Sequence, residues 1–181
     1  MKRKASISRE TKETRISLSL LLDGEGKQDI ECEDQFLTHM LDTLGRYSGM
    51  DLTLKASGDD PHHLIEDAGI VLGKALREAM GDSPVQRMAS STVAMDDALV
   101  SVTVDLVDRP YVDIDCDDPL YHHFLRSLAT AAGMTLHVVE VRGFDPHHSV
   151  EAAFKGLGRC LEEALRPRDE ELSTKGGVRG G

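Results

Sequence analysis

The chain has 181 residues, of which 40% are hydrophobic and 4% aromatic, and carries a formal net charge of −11. That length allows one domain or two small halves sharing a core, and the acidic balance argues against a general nucleic-acid binder, which needs basic surface to displace phosphate counterions. No apolar run reaches the roughly 18–20 residues that span a bilayer, and no apolar stretch follows the basic N-terminus before Ile16, so neither a membrane segment nor a secretory signal is expected. Cys32, Cys116 and Cys160 lack CxxC spacing and read as packed, reduced thiols of a cytoplasmic protein.

Taken in chain order, Ile16, Leu18 and Leu20 alternate with polar residues and predict a half-buried strand. Asp23-Gly24 predicts a hairpin turn, with 28–32 as the returning strand. Residues 35–47 read as a helix and Leu52, Leu54 and Ala56 as a third strand. A long helix is predicted over 62–80, with Ile65, Leu72, Leu76 and Met80 on one face and Gly81 as its stop. Residues 82–92 read as a linker. Then Val100, Val102, Val104 and Leu106 predict a strand, 110–116 another, 120–132 a helix, 134–141 a strand and 147–165 a helix. The Ser173-Thr174-Lys175 tail is expected to be flexible unless a ligand or partner fixes it.

The two halves repeat each other. Asp29-Ile30-Glu31-Cys32 recurs as Asp113-Ile114-Asp115-Cys116, His39-Met40-Leu41 as His123-Phe124-Leu125, and Gly49-Met50 as Gly133-Met134, all 84 residues on. At an offset of 85, His62 matches His147, Glu66 matches Glu151 and Leu72-Gly73 matches Leu157-Gly158. So many matches in one register predict an internal duplication. The expected fold is α+β: two β-β-α-β-α units with helices packed on the sheets and a pseudo-twofold axis between them. The repeats would cover about 10–81 and 93–166 of a single catalytic domain spanning 1–181, with a tail from 167 to 181.

The chemistry sits in the repeat. Gly58-Asp59-Asp60-Pro61-His62-His63-Leu64-Ile65-Glu66 becomes Gly143-Phe144-Asp145-Pro146-His147-His148-Ser149-Val150-Glu151, and one histidine precedes each copy, His39 and His123. On a helix, positions i and i+4 share a face and i+1 is turned by about 100°. His62 can therefore grip an ion together with Glu66, and His147 with Glu151, whereas His63 and His148 must serve a different one. Six histidines and two glutamates divide into two sets of three imidazoles and a carboxylate, a plausible site for a divalent ion. No thiolate is placed to join. His122 and His137 have no counterpart in the other half and read as capping or core residues. Asp96 and Asp97 read as positioning residues, and Gly156-Leu157-Gly158 as helix packing. The spacing alone leaves open a binuclear hydrolase, a metal-stapled assembly and other dimetal enzymes.

Thr11-Lys12-Glu13-Thr14, Phe36-Leu37-Thr38-His39-Met40-Leu41, His62-His63-Leu64-Ile65-Glu66-Asp67, Met95-Asp96-Asp97-Ala98-Leu99, Asp108-Arg109-Pro110, Thr135-Leu136-His137, His147-His148-Ser149-Val150-Glu151-Ala152 and Ser173-Thr174-Lys175-Gly176 together resemble the imidazoleglycerol-phosphate dehydratase family. The resemblance implies dehydration of imidazole glycerol phosphate to imidazole acetol phosphate in histidine biosynthesis. It implies an imidazolate held by two manganese ions per active site, with acid/base proton shuttling. One ion would take His39, His63, His147 and Glu151, the other His62, Glu66, His123 and His148. Glu13 would be the catalytic acid/base beside the substrate, and Arg87, Arg109, Ser173, Thr174 and Lys175 would bind the phosphorylated substrate. It further implies a homo-oligomer of trimers packed into a particle of twenty-four subunits, with metals at subunit contacts. The chain departs from the family pattern at Pro61 after Asp60, at Thr38 (usually Asp), at Tyr47 (usually His), at Asp97 (usually Glu) and at Asp108 (usually Gly). The last would put a carboxylate beside a phosphate-binding arginine.

Overall fold

The computed structural model describes residues 2–174. Strands β1 (Lys4–Glu10), β2 (Thr14–Leu21) and β3 (Gln28–Cys32) lead to helix α1 (Gln35–Ser48), strand β4 (Asp51–Gly58) and helix α2 (Pro61–Met80). The second half repeats this order with β5 (Met88–Met95), β6 (Ala98–Asp105), β7 (Tyr111–Ile114), α3 (Pro119–Ala132), β8 (Thr135–Arg142) and α4 (Pro146–Ala164). The expected β-β-α-β-α unit is present in each half, preceded in each by one further strand. β1 therefore lies before the repeat start expected at about residue 10. β5 absorbs the second part of the expected 82–92 linker.

Both sheets have one topology, β1-β2-β4-β3 and β5-β6-β8-β7, which is the duplication expressed in three dimensions. β3 does not return beside β2 as the Asp23-Gly24 turn suggested. It crosses to the far edge and pairs parallel with β4, Ile30 opposite Leu54. The chain can make this crossing because α1 supplies the connection that parallel neighbours need. β7 pairs with β8 in the same way.

Alternation places Ile16, Leu18 and Leu20 on the buried face of the first sheet and Val100, Val102 and Val104 on that of the second. α2 packs on β1 and β2, α4 on β5 and β6. The helices then pair across the halves, α2 with α3 and α1 with α4, so that a helical layer lies between two sheets and one continuous core runs through the molecule.

Each helix pair has a glycine at its crossing. A Cβ on Gly73 would stand 2.4 Å from the Leu128 carbonyl oxygen, and one on Gly158 would stand 2.7 Å from Tyr47 Cβ. These two glycines are repeat equivalents, which bears out the packing role read for Gly158. The contacts also set direction. Gly69 meets Phe124 and Gly73 meets Leu128, so α2 and α3 run the same way and their N-termini lie at one end. Among the described residues no helix is long and apolar enough to cross a membrane. The three cysteines are free. Burial pushes the Cys116 thiol up to about 11 and that of Cys160 up to about 12, away from reactivity.

Candidate metal centre

All eight expected metal ligands lie in the first two turns of the four helices, because the sequence starts each helix just ahead of them. Asp60 caps α2 and Asp145 caps α4, each carboxylate accepting the backbone N–H of the first histidine of its pair, His62 at 2.8 Å and His147 at 2.9 Å. Pro61 and Pro146 occupy the first helical turn, where a missing N–H costs nothing. The Asp-Pro pairs thus start the helices, and the His-His-x-x-Glu run that follows is presented at the helix mouth. Asp34 and Asp118 do the same for α1 and α3, which carry His39 and His123.

Two clusters result. His62 and Glu66 on α2 meet His123 on α3. Their ligand atoms all lie within 4.8 Å of one another, with His62 Nε2 3.7 Å from Glu66 Oε2 and the two imidazole rings 4.9 Å apart. His147 and Glu151 on α4 meet His39 on α1. Glu151 Oε2 is 3.4 Å from His39 Nε2 and 3.7 Å from His147 Nε2. Phe36 stacks on the His147 ring at 4.6 Å and fixes its plane. Each cluster combines side chains from both halves.

The clusters are not equal. Glu151 is buried, and Lys155, one turn on, donates to its Oε1 at 2.8 Å. Burial pushes the Glu151 carboxyl up, but the hydrogen bonds from Lys155 and His39 outweigh it and leave it below its usual value. The repeat equivalent of Lys155 is Ile70, so Glu66 has no such cation. Lys155 carries no motif signal and is visible only through its contacts, which include the Tyr47 ring 6.0 Å away.

His63 and His148 join neither cluster in the chain. His63 Nδ1 is 3.0 Å from Asp59 Oδ1 and 3.9 Å from Glu13 Oε2. His148 Nδ1 is 2.5 Å from Asp97 Oδ1, and Asp96 lies 3.4 Å from its Nε2. The Asp59 hydrogen bond raises the His63 imidazole above its ordinary value, and the Asp97 bond does so for His148. Asp97 also accepts the backbone N–H groups of Phe144 and Asp145. The His148 hydrogen bond first, and these two after it, hold its carboxyl well below the usual carboxylate range. His122 and His137 stay outside both clusters. His137, on β8, lies over Tyr111 and is half-exposed rather than a core residue.

Glu13 sits in the β1–β2 turn, where Thr11 Oγ1 accepts its backbone N–H at 3.1 Å. Its side chain is exposed and faces His63. The expected phosphate residues lie elsewhere. Arg87 grips Asp105 with two nitrogens and donates to the Leu172 carbonyl at 2.6 Å, which brings Ser173 and Thr174 close to it. Arg87 has a φ of 75°, a conformation that costs energy in a non-glycine residue. Arg109 is exposed, and its backbone carbonyl accepts from Thr135 at 3.2 Å. Lys175 lies outside the described residues. The Asp108 carboxylate turns to Arg77 at 2.6 Å rather than to Arg109, so the expected interference with Arg109 is not built into the chain. Its φ of 55° explains why glycine suits that position.

Arg87 and Asp97 bracket the eight-residue β5, about 26 Å long at the usual rise. Arg77, beside Asp108, is near the far end of the 20-residue α2 from His62, about 30 Å in length. A single chain therefore places all eight expected metal ligands at one end and Arg87, Arg109 and residues 172–174 at the other.

A family model described as imidazoleglycerol-phosphate dehydratase matches residues 33–161. The chain is 46% identical over 193 aligned residues to the imidazoleglycerol-phosphate dehydratase of Geobacillus kaustophilus, covering 97% of this chain and 99% of that protein. It is 44% identical over 191 to the one from Bacillus subtilis, covering 96% and 98%. The fold is similar to the crystal structure of IGPD from Pyrococcus furiosus in complex with (S)-C348, with a TM-score of 0.87 and 38% identity over 95% of this chain and all of that one. It is also similar to the Staphylococcus aureus imidazoleglycerol-phosphate dehydratase, with a TM-score of 0.81 and 31% identity over 91% and 99% of the two chains.

Proposed function

The chain belongs to the imidazoleglycerol-phosphate dehydratase family, and we propose that it is the hydro-lyase of histidine biosynthesis, removing water from imidazole glycerol phosphate to give imidazole acetol phosphate. The observation that carries the reading is the pair of His/His/Glu clusters at the helix mouths, each with a further histidine nearby that no cluster uses.

Two manganese ions per active site fit these donors. Each cluster offers imidazole and carboxylate without thiolate, the soft ligand that would favour zinc, and the atoms of the α2–α3 cluster already converge within 4.8 Å. His62, Glu66, His123 and His148 would hold one ion, and His39, His63, His147 and Glu151 the other. Bound metal would lower the pKa of the substrate imidazole and hold it as an anion, electron-rich enough to expel the hydroxyl from the adjoining carbon.

The rest of the reaction falls to the chain. The next carbon must lose its proton, and the enol that results must regain one beside the ring to become the ketone. Glu13 is the acid/base for these transfers. It is exposed, in reach of the substrate space next to His63, and carried on a turn pinned by Thr11. Arg87, Arg109, Ser173, Thr174 and Lys175 take the phosphate, with the arginine fork suited to paired contacts. The Arg87–Asp105 and Arg87–Leu172 bonds pre-set that guanidinium and tie the tail to it.

The metal-binding residues and the described phosphate residues, Arg87, Arg109, Ser173 and Thr174, lie at opposite ends of one chain, and His63 and His148 point away from the clusters they would complete. Both facts support a homo-oligomer whose active sites draw on several subunits, with trimers assembled into a particle of twenty-four. A small phosphorylated imidazole is the only further partner required.

The test is to strip the protein of metal and assay imidazole glycerol phosphate with and without manganese, following imidazole acetol phosphate. Turnover and large assemblies that both appear only with manganese are expected. Absence of turnover in a metallated, assembled protein would overturn the reading.

A further inference from the structure

The ring nitrogen that a histidine offers to a metal is decided by what the other nitrogen does. His148 Nδ1 faces Asp97 Oδ1 at 2.5 Å, while Asp97 Oδ2 accepts the backbone N–H groups of Phe144 at 2.6 Å and Asp145 at 3.1 Å. A carboxylate that receives three hydrogen bonds is an acceptor at each of them. The proton between it and His148 therefore belongs to Nδ1; Nε2 faces Asp96 Oδ2 at 3.4 Å and carries the lone pair once the ring is neutral, the form that ligates a metal. His63 repeats the arrangement with Asp59 Oδ1 at 3.0 Å.

The two acceptors are not repeat equivalents. Asp59 corresponds to Phe144 at the offset of 85, and Phe144 is 93% exposed and touches no imidazole nitrogen. Asp97 corresponds at the offset of 84 to Glu13, which stands 3.9 Å from His63 Nδ1, beyond hydrogen-bond range. One duty is thus met from the β4–α2 connection in the first half and from the β5–β6 turn in the second. Where Asp59 has taken it, the turn residue Glu13 faces His63 at ion-pair distance without hydrogen-bonding it.

We infer that Asp97 and Asp59 are the positioning residues that fix the Nδ1–H tautomer of His148 and His63, presenting Nε2 to the metals. The inference rests on the dimetal reading. It goes beyond it by assigning what orients the histidine that each cluster lacks within its own chain.

Asparagine separates this role from simple turn capping. In Asp97→Asn the Phe144 and Asp145 amides hold the side-chain carbonyl, so the amide nitrogen must face His148 Nδ1 and donate to it. That forces the proton to Nε2. In Asp59→Asn no backbone group pins the amide, which can rotate and keep its oxygen toward His63. Histidine side-chain nitrogen NMR of the metal-free protein should show the His148 tautomer reversed in Asp97→Asn and the His63 tautomer kept in Asp59→Asn. Manganese titration should show the affinity of the His148-containing set falling by about 10–100-fold in Asp97→Asn, with the other set unchanged, and both sets nearly unchanged in Asp59→Asn. Asp59→Ala, at an exposed side chain with no turn contact, should weaken only the His63-containing set, and serves if the Asp97 variant fails to fold. Retention of the Nδ1–H tautomer and of both affinities in Asp97→Asn, or in Asp59→Ala, overturns the inference. Fewer than two manganese ions per chain in the unaltered protein would sink the dimetal reading instead, and the tautomers would still be read from the NMR.

Discussion

Replacing Gly73 with alanine places one methyl group where α2 and α3 touch. The new Cβ would stand 2.4 Å from the Leu128 carbonyl oxygen, 2.8 Å from Ala131 Cβ and 3.0 Å from the Ala132 nitrogen. Two of these are backbone atoms of a helix, which cannot swing aside as a long side chain would. Restoring ordinary contact at 3.4 Å requires the two helices to part by about 1 Å at this point. Overpacking of this kind costs about 1–3 kcal/mol, and the better helix propensity of alanine returns up to about 1 kcal/mol. The net loss of about 1–2 kcal/mol should lower the melting temperature of the metal-free protein by roughly 2–8 °C, given about 2–4 °C per kcal/mol for a chain of this size. The same two helices carry His62, Glu66 and His123, and metal ligation tolerates only about 0.2 Å of error in distance. Manganese should therefore be lost from this set first, since the set on α1 and α4, held through Gly158, takes only His63 from the displaced helices. Thermal unfolding and manganese titration read the two effects separately. A variant as stable as the parent with both affinities intact would refute the claim that Gly73 sets the spacing of the α2–α3 cluster.

Three further outcomes are expected. Glu13→Gln should lower turnover by about 10²–10⁴-fold, the usual worth of a positioned acid/base, while manganese content is unaltered; unchanged turnover removes Glu13 from the reaction. Asp51 accepts the backbone N–H groups of Lys27 and Glu25, which hold its carboxyl below the usual value. A depressed folded pKa gives stability that is complete above the unfolded value of about 3.9 and lost as pH falls through the folded value. Asp51→Asn should then flatten the acid limb of stability below about pH 4, and parallel limbs in parent and variant would refute this. Asp108→Gly trades about 1–2 kcal/mol of left-handed strain against an exposed pair with Arg77 worth about 0.2–1 kcal/mol and a backbone entropy cost of about 0.4–1 kcal/mol. Stability by chemical denaturation should move by less than about 1 kcal/mol on these terms. A loss twice as large would mean that the ion pair carries more of the fold than its exposure implies.

The features legible in the chain were those set by local periodicity and by the repeat. Ile16, Leu18 and Leu20 fixed one face of β2, and the matched His-His-x-x-Glu runs marked the two helix mouths and the residues that converge there. Long-range pairing was not legible. Asp23-Gly24 is a sound turn signal, yet nothing in 28–32 says that its hydrogen bonds go to β4 rather than β2. That choice is made by the crossover of α1 and the packing of the partly buried Ile30 against the core. β1 and β5 carry little sequence signal because edge strands covered on one side need little apolar sequence, and β1 buries only Ala5 fully. Within the site, His62 with Glu66 followed from helix geometry. Asp97 reads as a positioning residue without a partner, because His148 is far away in sequence, and Asp59 and Lys155 give no signal because each breaks the repeat that makes the rest readable.

Those breaks bear on what a duplicated site must do. Two identical halves would give two identical clusters, each with the same carboxylate from the hairpin turn against the same histidine. The proposed dehydration is not symmetric, because a proton leaves one carbon and a hydroxyl leaves its neighbour. An acid/base group is wanted beside one metal set only. The chain supplies this difference at three matched positions. Glu13 faces His63 at 3.9 Å without hydrogen-bonding it, where Asp97 is bound to His148 and two amides; Asp59 stands where Phe144 does nothing for a histidine, and Lys155 grips Glu151 where Ile70 leaves Glu66 to its histidines. The ligand set that the two metals would use stayed duplicated, and the changes fell on the carboxylates and the cation around it. Duplication could thus provide the matched pair of sites, and divergence in the surrounding shell could give each site its own task.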